Sequence, residues 1–155
     1  MPNDFNANDI FEMAIRTEQN GAIFYRNAAD RVEGARNKKF LLELAKMEDE
    51  HETIFRKMKK DLTEEESFST TFDPENENMQ YLKAMADSRV FFNKPQPKNN
   101  LKNILSAAIQ TEKDAIVFYL GMKELVPEKS GRSRLDDIIK EEMSHIRLLA
   151  DKLTQ

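Results

Sequence analysis

The sequence predicts an all-α protein: two helical hairpins, each a copy of the other, folded into a four-helix bundle. Three observations carry that prediction. Charged residues make up 34% of the 155 residues, Gly (4) and Pro (5) are few, and Trp is absent. This composition suits helices with solvated outer faces better than sheets and turns. Apolar positions recur at steps of three and four through four long segments. Finally, AIRTEQNGAIFY at 14–25 returns as AIQTEKDAIVFY at 108–119, a displacement of 94 residues. With 39% hydrophobic residues the chain is the size of one domain, 1–155, and can bury a core.

The first helix is expected from about 9 to 33, where Phe11, Ile15, Glu18, Ala22, Tyr25, Ala29 and Val32 form one stripe. It starts at Asp9-x-x-Glu12, which resembles a capping box with Asp in place of Ser or Thr. The second runs from about 37 to 61, with Leu41, Leu44, Glu48, His51, Phe55, Met58 and Leu62 on its stripe. Residues 63–98 form a long crossover, polar and β-branched in TEEESFSTTFD and broken by prolines in FFNKPQPKNN. Within it, Asp73-Pro74 and the apolar positions Met79, Leu82, Met85 and Ala86 predict a short extra helix over about 74–89. The third long helix follows Asn99 or Asn100, with Leu101, Leu105, Ala108, Glu112, Ala115, Tyr119 and Met122 aligned, and stops before VPEKSG. The fourth starts near 130–133 and carries Leu135, Ile138, Glu142, His145 and Leu149. The hairpins therefore span 9–61 and 100–153.

A net charge of -4 and a pI near 5.4 give no electrostatic footprint for nucleic acid. No apolar run approaches a membrane span, and MPNDFNANDIFE lacks the regions of a signal peptide, so a cytoplasmic protein is expected. Without Cys there is no disulfide, thiolate nucleophile, iron–sulfur centre or rubredoxin-type knuckle. Any electron donor must be external.

The displacement of 94 also carries Leu41 onto Leu135, Lys46 onto Lys140, Glu48 onto Glu142 and His51 onto His145. Both histidines of the chain thus follow a Glu by three residues. With 17 Glu in the sequence a single ExxH is weak and reads most simply as a charged face. The stripes overturn that reading, because Glu18, Glu48, His51, Glu112, Glu142 and His145 all fall where the pattern calls for Leu or Ile. Six unpaired ionisable groups in a core would cost several kcal/mol each, against roughly 5–15 kcal/mol of stability for a domain. No Lys or Arg shares the stripes near them. Two divalent cations would balance four carboxylates and use both imidazoles as neutral ligands. Glu and His at i and i+3 point from one helix face to a common point, where the single Glu of the neighbouring helix can bridge two metals.

The set Glu18, Glu48-x-x-His51, Glu112, Glu142-x-x-His145 resembles the ligand set of the ferritin-like di-iron superfamily. The repeated TE…FY segments resemble its rubrerythrin branch. The resemblance covers both hairpins and leaves out the crossover. It implies a ferritin-like four-helix bundle with two non-haem iron ions per chain, for which Mn or Zn could substitute, and no haem or flavin. Glu18 and Glu112 would be the single-helix ligands, Glu48 and His51 would serve one iron, and Glu142 and His145 the other; which Glu bridges stays open. Tyr25 and Tyr119, seven residues beyond their Glu on the same face, can hydrogen-bond to ligands or serve as core residues. Rubrerythrins typically carry a further Glu one turn after the third-helix ligand, where this chain has Ala115, and Gly21 at the repeat equivalent. They also usually append a rubredoxin-like domain. The remaining six-ligand set is closer to that of bacterioferritin, but with ten residues after His145 a storage shell is not implied.

The implied activity is that of a di-iron oxidoreductase reducing hydrogen peroxide or dioxygen, as a peroxidase fed by an external donor such as a rubredoxin or as a ferroxidase. A homodimer is expected. The alternatives are a di-iron hydroxylase of an organic substrate and a non-enzymatic metal-binding module. Met47, Met58 and Met143 read as packing residues. Phe91-Phe92 read as a bundle cap or a partner contact, and Glu64–Glu66, Glu75 and Glu77 as solvated.

Overall fold

A computed structural model of the protein describes residues 7–62, 80–82, 84, 100–126, 128 and 131–155. Four long helices account for most of them: α1 (Ala7–Arg31), α2 (Ala35–Lys60), α3 (Leu101–Lys123) and α4 (Arg132–Leu153). Packing is heaviest between α1 and α2 and between α3 and α4, so the two hairpins are the units of the bundle.

Ala7 and Ile10 are buried, and the chain is already helical at Ala7, two residues ahead of the expected cap. Asp9 therefore lies within the first turn and is not the capping residue. There its charge still complements the positive end of the helix. A three-residue connection, 32–34, leads into α2 through Gly34, whose φ of 91° suits a residue without a Cβ. The second hairpin is joined by the longer segment 124–131. Arg132 closes it by donating from Nε to the Val126 carbonyl at 2.9 Å, and Gly131 opens α4 with φ 111°. At Asn100 the expectation holds: its side chain accepts from the Asn103 amide at 2.8 Å and caps α3.

The stripes are the core. Every stripe residue of α1 and of α4 is buried, as are those of α2 and α3 except their outermost members, Leu62 and Leu101, which are partly buried. The apolar residues fall into two clusters. One gathers Phe11, Ile15, Phe55, Met58, Tyr119, Met122, Leu135 and Ile138. The other gathers Tyr25, Ala29, Leu41, Leu44, Leu105, Ala108 and Leu149. Burying each large side chain contributes roughly 1.5–3 kcal/mol. The gap between the clusters falls at Glu18, Glu48, His51, Glu112, Glu142 and His145, near the middle of each helix.

Of the extra helix expected over 74–89, residues 80–82 and 84 are described, and they are helical. Leu82 is fully buried. A Cβ on Gly121 would stand 3.2 Å from the Tyr81 ring and 3.3 Å from Leu82, so the glycine lets this segment approach α3 closely. Asp73-Pro74, Met79, Met85, Ala86, Phe91-Phe92, Glu64–Glu66, Glu75 and Glu77 lie outside the described residues. Ion pairs Arg26–Asp49 and Lys59–Glu12 join α1 to α2, and Lys123–Asp136 at 2.7 Å joins α3 to α4. All are partly exposed and contribute about 0–1 kcal/mol each. No described helix is long and apolar enough to cross a membrane.

Candidate metal centre

All six predicted site residues meet in the gap between the apolar clusters. Glu18, Glu48, His51, Glu112, Glu142 and His145 are 1–4% exposed. Their ligand atoms form two overlapping groups, Glu18–Glu48–His51–Glu142 and Glu48–Glu112–Glu142–His145, and within each group the atoms lie within 4.8 Å of one another.

The distances show how the carboxylates are shared. Around His51 Nδ1 stand Glu142 Oε1 at 2.7 Å, Glu18 Oε1 at 3.6 Å and Glu48 Oε2 at 3.9 Å. Around His145 Nδ1 stand Glu112 Oε1 at 3.6 Å, and Glu48 Oε1 and Glu142 Oε2 both at 3.9 Å. Glu48 and Glu142 each turn one oxygen to each histidine, whereas Glu18 faces His51 alone and Glu112 faces His145 alone. The geometry thus gives the shared position to the Glu of each ExxH pair. The single-helix Glu18 and Glu112, expected as candidate bridges, sit at the two outer ends. The i, i+3 spacing sets each of these glutamates beside its own histidine, and the packing of the two hairpins brings it within reach of the other.

The two tyrosines complete a reciprocal pattern. Tyr25 donates its hydroxyl to Glu112 Oε1 at 2.6 Å, and Tyr119 donates to Glu18 Oε1 at 2.6 Å. Each hairpin's tyrosine therefore holds the other hairpin's glutamate. Both phenols are pushed well above their ordinary value of 10.0 by burial and then by the carboxylates beside them, Glu112 first for Tyr25 and Glu18 first for Tyr119, so both remain donors at neutral pH.

Without a cation the carboxylates repel. Burial, then Glu18 and the other carboxylates of the cluster, raise Glu48 and Glu142 well above 4.5. Burial also opposes charge on Glu112, but contacts with Glu142, His145 and Glu48 bring it down to about 2. Burial would lower His51, yet the Glu142 and Glu18 carboxylates raise it to about 11. The cluster therefore holds protons where a metal site holds cations. Five of its buried atoms have no hydrogen-bond partner: Glu18 Oε2, His51 Nδ1, Glu112 Oε2, Glu142 Oε1 and His145 Nδ1. Two of the five, His51 Nδ1 and Glu142 Oε1, face each other at 2.7 Å as an ion pair. An orphaned buried polar atom costs about 1–3 kcal/mol, and five converging on one place fit a donor set for divalent cations.

Ala115, where the resemblance implied a further Glu, and Gly21, its repeat equivalent, are buried beside the cluster. A Cβ on Gly21 would come within 3.3 Å of Glu48 Cδ, so that space belongs to the Glu48 side chain. Behind the histidines stand one residue that went unread in the sequence, Glu141, and one read only as packing, Met47, which is 37% exposed. Glu141 Oε2 lies 2.5 Å from His51 Nε2, and Met47 Sδ lies 3.1 Å from His145 Nε2. The signal was available: the displacement of 94 places Met47 on Glu141, a mismatch immediately before otherwise matching ExxH pairs.

Four helices in two repeated hairpins, with a carboxylate–histidine cluster between them, define a ferritin-like four-helix bundle. A crystal structure from Thermotoga maritima, provisionally described as a ferritin-like diiron-carboxylate protein, matches with a TM-score of 0.71 and 30% sequence identity over 97% of this chain and 95% of that one. The rubrerythrin family model matches residues 9–153, and the chain belongs to the rubrerythrin family. No curated protein matches it in sequence.

Proposed function

We propose that the protein is a non-haem di-iron oxidoreductase that reduces hydrogen peroxide or dioxygen. The observation that carries this reading is the pair of overlapping buried donor groups, in which five orphaned atoms converge between two apolar clusters. Glu18, Glu48, His51 and Glu142 would hold one iron; Glu112, Glu48, Glu142 and His145 would hold the other. Bound there, an iron pair cycling between ferrous and ferric states supplies two electrons to the oxidant.

The protein's own residues do the rest. Glu48 and Glu142, with one oxygen toward each histidine, keep the two positions adjacent. Tyr25 and Tyr119 fix the outer carboxylates by hydrogen bonds from the opposite hairpin. The apolar clusters on either side keep the site dry, which strengthens every electrostatic contact within it. The chain has no Cys to form a rubredoxin-type centre, so peroxide turnover draws electrons from a separate donor such as a rubredoxin, and ferroxidation draws them from Fe(II) itself.

Stopped-flow absorbance of the anaerobically Fe(II)-loaded protein, mixed in parallel with hydrogen peroxide and with dioxygen, tests the proposal. A ferric band develops with at least one oxidant. Faster oxidation by peroxide assigns a peroxidase, and faster oxidation by dioxygen assigns a ferroxidase-type reaction, in keeping with the six-ligand set. A loaded protein that forms no ferric band with either contradicts the proposal and leaves a metal that only holds the bundle together.

A further inference from the structure

The two halves of the centre are not equivalent, and the difference lies behind the histidines. Glu141 and Met47 occupy the same place in the repeat, one residue before Glu142 and Glu48. Each reaches across to the histidine of the opposite hairpin: Glu141 Oε2 to His51 Nε2 at 2.5 Å, Met47 Sδ to His145 Nε2 at 3.1 Å. Both rings turn Nδ1 toward the carboxylates. A neutral imidazole that offers Nδ1 to a cation carries its proton on Nε2, which is then a donor. Donation to a carboxylate is charge-assisted; it fixes the ring and raises the basicity of Nδ1. Donation to a thioether gives a weak bond with no charge behind it.

Resting on the reading of these six residues as metal ligands, we infer that the cluster is a graded pair of sites. The position built on His51 binds a divalent cation tightly, and the position built on His145 binds the second more weakly and releases it first. Groups one step removed from a metal typically change its affinity by 10–100-fold. Glu141 is 59% exposed, so water competes for its carboxylate and the lower end of that range applies. Glu18 and Glu112 are matched, each held by a tyrosine at 2.6 Å, and the shared glutamates lean the same way as the grading, with Glu142 Oε1 2.7 Å from His51 Nδ1 and Glu48 Oε1 3.9 Å from His145 Nδ1.

The test is anaerobic calorimetric and optical titration of the full-length, metal-free protein with Co(II), in the parent and in four variants. Glu141 and Met47 are both partly exposed, so their variants are expected to fold, which circular dichroism checks. The parent binds two ions in steps separated by about tenfold or more. Met47→Glu tightens the second step until the two converge, and Glu141→Met weakens the first. His145→Ala keeps the first ion and loses the second, whereas His51→Ala loses the tight step. Equal intrinsic affinities in the parent, or steps that respond alike to Met47→Glu and Glu141→Met, would overturn the grading while leaving a two-metal centre in place. Failure of the parent to bind Co(II) would overturn both.

Discussion

The Tyr25 hydroxyl shows how much of this site is held by single contacts. It is fully buried and donates to a glutamate that its neighbours hold well below the usual carboxylate range. Hydrogen bonds to charged groups contribute more than neutral ones, and losing this one removes the hydroxyl that bonds Glu112 Oε1. Tyr25→Phe should therefore destabilise the metal-free protein by about 1.5–3 kcal/mol in urea unfolding. No loss of stability would mean that another donor reaches Glu112. Bound metal should shrink the penalty, because the carboxylate then has a cation as partner. Glu48 acts differently: each of its oxygens faces a different histidine, so its removal strikes both groups.

At the scale of elements, the helices were legible because the stripes and the repeat agreed. Glu18, Glu48, His51, Glu112, Glu142 and His145 broke the apolar pattern in both copies at the same displacement, which is how the sequence pointed to the cluster. The ends were harder to read. Asp9 has the chemistry of a cap, but the chain is already helical at Ala7, so Asp9 lies inside α1. Met47 and Glu141 carried no stripe signal, because each lies beside the buried face and its contact crosses to the other hairpin. The shared role of Glu48 and Glu142 likewise depends on how far apart the hairpins stand, which spacing along one helix does not specify. The turn into α4 is decided by backbone conformation. Gly131 has φ 111°, and a Cβ there would meet Met58 Cε at 2.8 Å. Gly131→Ala should cost about 1–2 kcal/mol of stability, read from thermal unfolding. A neutral substitution would show that the turn relaxes freely.

In the whole molecule the cluster opposes folding unless its charge is neutralised. His51 has its pKa raised to about 11, so its contribution is fully present below about 6.5 and is lost as pH rises toward 11. Glu48 and Glu142 have raised values too, so above about 4.5 the unfolded chain ionises where the folded one resists, and stability again falls with rising pH. Glu112 acts in the opposite sense, but only in acid: its contribution is present above about 4.5 and lost as pH falls toward about 2. The chelator-treated protein should accordingly melt at a lower temperature at about pH 9 than at about pH 6. A cation displaces these protons, so metal binding should tighten as pH rises over the same interval. A melting temperature that rises with pH in the metal-free protein would contradict the charge assignments.

The central claim is that two cation positions share Glu48 and Glu142 inside one bundle. Anomalous diffraction at the iron edge, from crystals soaked anaerobically in saturating Fe(II), tests it most directly. Two peaks are expected, one against His51 Nδ1 with Glu18 and one against His145 Nδ1 with Glu112, with the Glu48 and Glu142 carboxylates between them. A single peak in the core, or iron only on surface carboxylates, would contradict the claim.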